Sequence, residues 1–306
     1  MTTYIIRRLL FALVTLFFVS IITFALVYFG PVDPTRVLAG PRAQGASIET
    51  LRHELGLDQP VYVQYYSYMR QLLRGNLGES WYFRKPVTEA LFARFPATGM
   101  MATGIILFAV AIGLPLGAIA ALKVNSLLDR AVQVAGMIVM SMPNFFLGLL
   151  LIFFLAFKLK ALPIGGYGSP KHLILPIATV SAWYIVMYAS VLRSNMLDVI
   201  SADYIRTARS KGLSRSLITR RHMLRNALLP VVTMLGMDFA VLLTGVVLVE
   251  TLFNFPGIGW QAGQAAGHMD VPMIMGTVLF GSALIAVMNL LVDVLYAVLD
   301  PRVRLG

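Results

Sequence analysis

The segment DYIRTARSKGLSRSLITRRHMLRNALLP, residues 203–230, is the longest polar interruption in the apolar two-thirds of the chain. The region 193–225 holds eight Arg or Lys residues and only two acidic residues. Its first part predicts a helix over 202–211, and Gly212 suits a left-handed C-terminal cap. A second helix is predicted from Ser214. Two short helices around a glycine predict a compact basic hairpin between two membrane-length apolar stretches. Its charge alone is equally compatible with a loop that is held at an anionic lipid surface.

The composition is that of an integral membrane protein. The 306 residues are 58% hydrophobic and 13% charged, with a mean hydropathy of +0.79, whereas soluble domains carry about 25% charged residues. The net charge is +11. Most basic residues lie in loops beside apolar stretches, where they set membrane orientation, so nucleic acid is not an expected partner. With no Cys in the chain, disulfides, thiolate metal sites and cysteine nucleophiles are excluded.

Six apolar stretches meet or approach the roughly 20 residues that a membrane span requires. The first follows a basic N-terminus but exceeds the roughly 7–15 residues of a signal-peptide core, so we interpret it as a retained span. The sequence therefore predicts an all-α integral membrane protein with six transmembrane helices. The stretches are 9–29, parts of 96–122, 131–157 and 173–192, and the whole of 227–253 and 272–298.

The spans divide the chain into four parts. We expect a cytoplasmic N-terminus and first helix in 1–29, an external, periplasmic-side loop region in 30–95, a five-helix core with the cytoplasmic segment 203–230 in 96–298, and a cytoplasmic tail in 299–306. The loop region predicts one helix over 48–57 that ends at Gly56, and a tyrosine-rich helix over 61–73. The second is either an interfacial helix with an aromatic belt or a surface for an external partner.

Short-loop charges predict that both termini and the 203–230 segment are cytoplasmic. Six spans place both termini on one side, and that side collects most Lys and Arg of the short loops. The opposite short loops hold only three lysines, of which Lys158 and Lys160 are accommodated if they snorkel at a helix end. The basic residues on the predicted cytoplasmic side are Arg7, Arg8, Lys123, Arg130, the eight of 193–225, Arg302 and Arg304.

No motif for intrinsic catalysis or cofactor binding is present. No Gly is followed by Lys, so the core of a phosphate-binding loop is missing, and His53-Glu54 lacks the second His of a zinc protease helix. The four His residues are scattered along the chain. We therefore expect a non-catalytic chain with no metal and no intrinsic cofactor.

Three acidic residues, Asp238, Glu250 and Asp293, lie within the predicted spans. An acidic residue in a span costs about 2.5–3.5 kcal/mol on insertion scales and is a functional candidate by default. Two interpretations remain open: a proton relay, or carboxylates that each pair with a backbone or polar group inside the bundle. A separate pattern, Gly113-Leu114-Pro115-Leu116-Gly117, combines a kink with small residues suited to close helix packing.

The 203–230 segment resembles the cytoplasmic coupling motif of ABC importer permeases of the dipeptide/oligopeptide branch. The generic motif is Glu-Ala-Ala, three residues, then Gly; here Arg206-Thr207-Ala208 and Gly212 hold those places, so the acid and the first alanine are missing. The resemblance extends over essentially the whole chain. Further matches are Pro31-Val32-Asp33-Pro34, Leu55 to Pro60 with Gln64-Tyr65, Gly75 to Ser80 (with Asn76 where the branch has Asp), RNALLP at 225–230, Phe253 to Gly259 and Asn289 to Tyr296.

The resemblance implies a permease of the type I ABC importer fold in a bacterial inner membrane. Its expected partners are a second homologous permease, two ATPase subunits that bind the ATP and Mg²⁺, an external substrate-binding protein and membrane lipids. The segment would dock in a groove of an ATPase, with Gly212 setting the bend and Ala208 allowing close approach. The implied coupling residues are Tyr204, Ile205, Arg206, Thr207, Ala208, Arg209, Lys211, Gly212 and Leu213.

The expected function is ATP-driven import of di- or oligopeptides. The same architecture serves glutathione or nickel, and no residue of this chain discriminates among these cargoes. A proton-coupled secondary transporter that uses the three acidic residues of the spans is an alternative of another class. A membrane enzyme is a third, for which the sequence offers no catalytic constellation.

Overall fold

The computed structural model describes residues 2–30, 33–39 and 45–299, and within them the regular structure is helical apart from an isolated bridge between Glu79 and Pro86. Two π-helical turns, Ile152–Lys158 and Ile218–Met223, extend helices. The helices are α1 Thr2–Tyr28, α2 Pro34–Ala39, α3 Gly45–Glu54, α4 Val61–Leu72, α5 Val87–Leu122, α6 Leu127–Ser141, α7 Asn144–Leu151, α8 Lys171–Ile200, α9 Asp203–Ser210, α10 Arg215–Leu217, α11 Leu224–Ala227, α12 Leu229–Leu243, α13 Val247–Leu252, α14 Ile258–Gly267 and α15 Val271–Leu299.

Four of these helices are long and apolar enough to cross a membrane: α1, α5, α8 and α15. Two bent pairs pass the same test, Leu127–Ser141 with Asn144–Lys158 and Arg215–Ala227 with Leu229–Leu243. Counting each bent pair as one span gives the six predicted spans. The third span is a broken helix, whereas one continuous stretch was predicted. In the second pair only Leu229–Leu243 falls within the predicted fifth span, because Arg215–Ala227 lies almost entirely in the segment that is predicted to be cytoplasmic.

The break in the third span follows from Pro143. The two halves meet at 103°, and Met142 between them has extended backbone angles, φ −95° and ψ 131°. A proline disfavours the helical conformation of the preceding residue and has no N–H for the helix ladder. The first half therefore ends at Ser141, and the second begins after Pro143 as its N-cap.

The fifth span ends earlier than predicted because the chain turns at Gly245. Helix α12 stops at Leu243, and Gly245 has φ +96°. A Cβ at this position would collide with the backbone of Gly259, so only glycine allows both the backbone angle and the close approach. Glu250, predicted inside the fifth span, consequently lies in the separate short helix α13.

The chain forms two compact units, which are described separately. The first comprises Met1–Thr98, Leu243–Thr251 and Pro256–Gly306, and the second comprises Gly99–Leu242 and Leu252–Phe255. In the first unit, α1 packs along α15, and Arg8 contacts Asp293 at 2.9 Å between Nη2 and Oδ2. The start of α1 therefore lies beside the end of α15, a contact that agrees with an even number of spans.

The loop region of the first unit contains the two predicted helices, as α3 and α4, and Gly56 follows α3 with φ +65°. Arg52 of α3 forms an ion pair with Asp33, whose side chain also accepts hydrogen bonds from Thr35. Burial raises the pKa of Asp33, but the hydrogen bonds from Thr35 and the Arg52 guanidinium outweigh it and lower the pKa below its ordinary value.

Pro31, Val32 and residues 300–306 lie outside the described residues.

The residues Gly75 to Ser80, which match the family pattern, form a tight turn in the same unit. Gly75 and Gly78 both have positive φ, and the Asn76 side chain accepts a hydrogen bond from the Gly78 N–H at 2.9 Å. An Asn oxygen replaces an Asp oxygen in this role. Ser80 is buried and hydrogen-bonds Asp270, which also accepts from the backbone N–H of Trp81. Asp270 thereby joins the loop to the start of α15.

In the second unit, α6 and α7 pack on α8, and α5 approaches α8 through small residues. A Cβ at Gly113 would lie 2.7 Å from the carbonyl oxygen of Ile185, and one at Gly117 would collide with the backbone of Ala189. The two glycines lie four residues apart on one helix face. The close packing predicted for this pattern is confirmed.

Candidate coupling site

Helix α9 ends in a Schellman motif at Gly212. The Leu213 N–H donates to the Ala208 carbonyl at 3.3 Å, and the Gly212 N–H donates to the Arg209 carbonyl at 3.0 Å. Gly212 has φ +74°, which a residue without a Cβ adopts at little cost. The glycine-capped helix is confirmed, and its ends differ from the predicted 202–211 by one residue.

The second helix of the segment begins at the predicted Ser214. The Ser214 hydroxyl accepts a hydrogen bond from the Leu217 N–H at 3.4 Å, as an N-cap does. The helix then widens into the π-helical turn Ile218–Met223 and returns to α-helical geometry over Leu224–Ala227. Together with α9 it forms a basic hairpin, residues 203–227. The π turn was not predicted.

The interior of the basic hairpin is apolar and closed. Ile205 and Ala208 of α9 are buried, as are Ile218 and Met223 of the second helix, and α9 lies against the π-helical turn. Ala208 was expected to let a partner approach closely. The structure places it inside instead, so its small side chain permits close packing within the chain itself. Ile205 is fully buried and likewise has no surface to offer a partner.

The outer face of the basic hairpin is exposed and cationic. Arg206, Arg209 and Lys211 are all exposed. Arg206 approaches Asp203 at 3.9 Å, but these side chains are 84% and 97% exposed, and such surface pairs contribute little. Tyr204 is exposed too, and its hydroxyl accepts a hydrogen bond from the Asn226 side chain at 2.9 Å. This face is suited to an acidic groove on a partner.

An ion pair that the sequence analysis missed ties α8, which leads into the basic hairpin, to α6. Arg193 of α8 donates from Nε and Nη2 to the two Asp129 oxygens, at 2.6 and 2.9 Å. Asp129 also accepts from the Asn125 N–H and the Gln133 side chain. The sequence signal for a structural role of Asp129 was its position in the first turn of a helix, directly after the N-cap Ser126. Bidentate geometry makes this a strong, directional contact.

A second contact joins the far side of the basic hairpin to the same helix. The Asn195 side chain donates to the Ala227 carbonyl oxygen at 3.2 Å. Asn195 lies two residues beyond Arg193 on α8, and Ala227 ends the hairpin. The hairpin is therefore attached to α8 at both of its ends, through the chain at Ile200–Asp203 and through this hydrogen bond.

Glu250 holds a turn of the first unit rather than standing free. The fully buried carboxylate accepts hydrogen bonds from the Trp260 N–H at 2.8 Å, the Val246 N–H at 3.3 Å and the Thr98 hydroxyl at 3.2 Å. A Cβ at Gly257 would collide with this carboxylate, so the glycine makes room for it. These contacts fix the start of α14 and favour the structural interpretation of Glu250.

The other two span carboxylates also have local partners. Asp238 of α12 accepts a hydrogen bond from the Tyr188 hydroxyl at 2.9 Å. Asp293 forms the ion pair with Arg8, a charge contact without hydrogen-bond geometry at Oδ2. Local pairing of each carboxylate favours the second of the two interpretations over a relay. Within the described residues, no three His, Cys, Asp or Glu side chains are grouped to hold a metal ion.

Comparison with known proteins agrees with this architecture. A family model described as "Binding-protein-dependent transport system inner membrane component" matches residues 113–305, and the model of the N-terminal part of such components matches residues 1–102. Among solved structures, the inward-facing MetNI methionine ABC transporter gives a TM-score of 0.56 at 19% identity over 70% of this chain and 97% of that chain. An amino acid ABC transporter with histidines gives 0.54 at 16% identity over 71% and 95%. These two likenesses establish the fold.

Curated relatives match over nearly their full length. The glutathione transport system permease protein GsiC of Escherichia coli (strain K12) and that of Salmonella choleraesuis (strain SC-B67) are each 40% identical over 304 residues, 99% of this chain and 99% of the relative. The chain therefore belongs to the family of binding-protein-dependent transport system inner-membrane components, the permease subunits of ABC importers.

Proposed function

We propose that the chain forms half of the translocation path of an ATP-driven peptide importer, paired with a second homologous permease. The basic hairpin is the observation that carries the proposal. Its cationic face is exposed, its apolar side chains Ile205, Ala208, Ile218 and Met223 are buried, and it is attached to α8 at both ends. Two ATPase subunits dock on the paired hairpins and supply all ATP hydrolysis, so this chain is not an enzyme. An external binding protein delivers the cargo.

The contact with the ATPase is made by part of the predicted coupling set. Tyr204, Arg206, Thr207 and Lys211 are exposed and act at the surface, whereas Arg209, although exposed, lines the space between the hairpin and the ends of α5 and α8. Gly212 and Leu213 close the turn, while Ile205 and Ala208 support α9 from inside. The charge distribution of the short loops supports a cytoplasmic position for the hairpin and both termini.

The cargo belongs to the class of small peptides. Relatives that are 40% identical are named for glutathione transport, and glutathione is itself a tripeptide-like molecule. Glutathione is therefore the first cargo to test, with a dipeptide, an oligopeptide and Ni²⁺ as the other candidates.

The test is uptake into proteoliposomes that contain this chain, the second permease, the ATPases and the binding protein. Each candidate cargo is offered in a separate reaction with internal ATP. We expect uptake of one peptide-class cargo that requires ATP, and no ATP hydrolysis by the isolated chain. Hydrolysis by the isolated chain would contradict the proposal. Uptake that survives omission of the ATPases but collapses with the proton gradient would establish the secondary transporter instead.

A further inference from the structure

A cavity of about 580 Å³ lies within the second unit between the basic hairpin and the ends of α5 and α8. Its walls are mainly apolar and include Leu122, Ile200, Leu213, Ile218 and Met223. The volume falls in the usual range of small-molecule sites, roughly 300–1,000 Å³. The cavity thus offers a substantial apolar space beside a strongly basic segment.

Two arginine residues line the same cavity. Arg209 belongs to α9 and Arg215 to the second helix, so the two lie on opposite sides of the Gly212 turn. Within the described residues, neither forms an ion pair, and no acidic residue lines the cavity. Thr219 is a further lining residue. The complementary ligand is an anion with an apolar portion.

The position of the cavity along the spans further restricts the chemical class of the ligand. Helix α5 is apolar up to Leu122, its last residue, and Lys123 follows at once. A basic residue directly after an apolar span marks the level of the lipid headgroups. An amphiphilic anion at that level is a phospholipid, and arginine binds phosphate oxygens with paired N–H donors.

We propose that this cavity binds an anionic phospholipid, with its phosphate between Arg209 and Arg215 and its glycerol and first acyl carbons against Leu122 and Ile218. The bound phosphate bridges the two helices of the basic hairpin across Gly212. The lipid is thereby a structural ligand that holds the hairpin against the membrane ends of α5 and α8. Binding requires neither cargo nor ATP, so it stands apart from the proposed transport function.

The experiment measures lipid retention by the purified full-length chain. The protein is taken from nanodiscs containing both phosphatidylglycerol and phosphatidylcholine, and native mass spectrometry reports the lipid that remains bound. Arg215→Gln and Arg209→Gln are compared with Arg220→Gln, which removes an exposed arginine of the same hairpin that does not line the cavity. Thermal unfolding of each variant verifies that it is folded.

The expected result is selective retention of phosphatidylglycerol by the wild type, reduced about tenfold by either cavity variant and unchanged by Arg220→Gln. Equal retention of the two lipids would overturn the proposal. An equal loss in Arg220→Gln would also overturn it, because attraction would then be a general property of the basic surface. In a separate arm, inorganic phosphate is added; displacement of the lipid by phosphate alone would identify a free-anion site instead.

Discussion

Gly212 is the residue on which the geometry of the basic hairpin depends. Its φ of +74° lies in the left-handed region, and a Cβ built there meets nothing within 4 Å. The requirement for glycine is therefore conformational rather than steric. A residue with a side chain fits the space but loses the backbone conformation, which costs about 1–2 kcal/mol for an ordinary L-residue.

Replacement of Gly212 by valine should uncouple ATP hydrolysis from transport. A β-branched residue disfavours the left-handed angle and disturbs the bend between the two helices of the hairpin. The measurement is the amount of cargo imported per ATP hydrolysed by the reconstituted complex. Gly212→Asn is the matched control, because asparagine tolerates this conformation, and should retain most coupling. Full transport by the valine variant at normal assembly would rule out this role for the turn.

Glu250 is the residue for which a structural role and a proton-relay role predict different outcomes. Its carboxylate satisfies two backbone N–H donors and the Thr98 hydroxyl. Glu250→Gln should lower the free energy of unfolding by about 1–3 kcal/mol, because an amide group presents hydrogens to some of these donors. Chemical denaturation of the purified chain measures this loss. Glu89→Gln, at an exposed position of α5, serves as the control and should leave stability unchanged.

A relay role would give the opposite pattern for Glu250→Gln. Stability would then stay at the wild-type level, while uptake would lose its response to the proton gradient. Measuring both quantities on the same preparation separates the two interpretations.

At the scale of elements, the Asp129–Arg193 pair connects α6 to the helix that carries the basic hairpin. Asp129→Arg or Arg193→Asp alone should reduce the cargo imported per ATP several-fold, since each leaves like charges facing one another in a largely buried site. The double exchange restores an opposite pair and should recover part of the coupling. The yield of assembled complex is measured for every variant. If the double exchange imports no more cargo per ATP than either single variant, the pair has no role in coupling.

The elements with local sequence signals were predictable. The predicted features include the glycine cap of α9 at Gly212, the start of the second hairpin helix at Ser214 and the end of α3 before Gly56. Each depends on one residue and its immediate neighbours. The break at Pro143 was also within reach, because the proline alone disfavours a helical Met142. The turn at Gly245 could not be predicted. Its glycine is required by contact with Gly259, fourteen residues away, and nothing in the surrounding apolar sequence signals that contact.

The candidate site was predictable in its position but not in its orientation. The sequence analysis placed α9 and nine residues in the coupling set, yet burial divides that set into an exposed face and an interior that includes Ala208. Tyr204 and Ala208 are four residues apart on α9, so helical spacing places them on one face, but spacing carries no information about what covers that face. The Asp129–Arg193 pair joins residues 64 positions apart. Patterns in a single sequence do not predict side-chain contacts over such a separation.

The proposed topology assigns each polar segment of the chain to one side of the membrane. The natural chain has no cysteine, so single cysteines can be introduced and labelled without removing others. Reagents that do not cross the membrane then distinguish the basic hairpin, predicted to be cytoplasmic, from the loop region 30–95, predicted to be external.

Cross-linking from the outer face of the basic hairpin tests directly whether the ATPases dock there. Arg206→Cys carries a benzophenone maleimide in the assembled complex, and Arg74→Cys, exposed beyond α4 in the loop region, carries the same label as the control. The predicted result is an adduct with an ATPase subunit from position 206 and none from position 74. An ATPase adduct from position 74, with none from position 206, would contradict the claim that the basic hairpin is where the ATPases drive this permease.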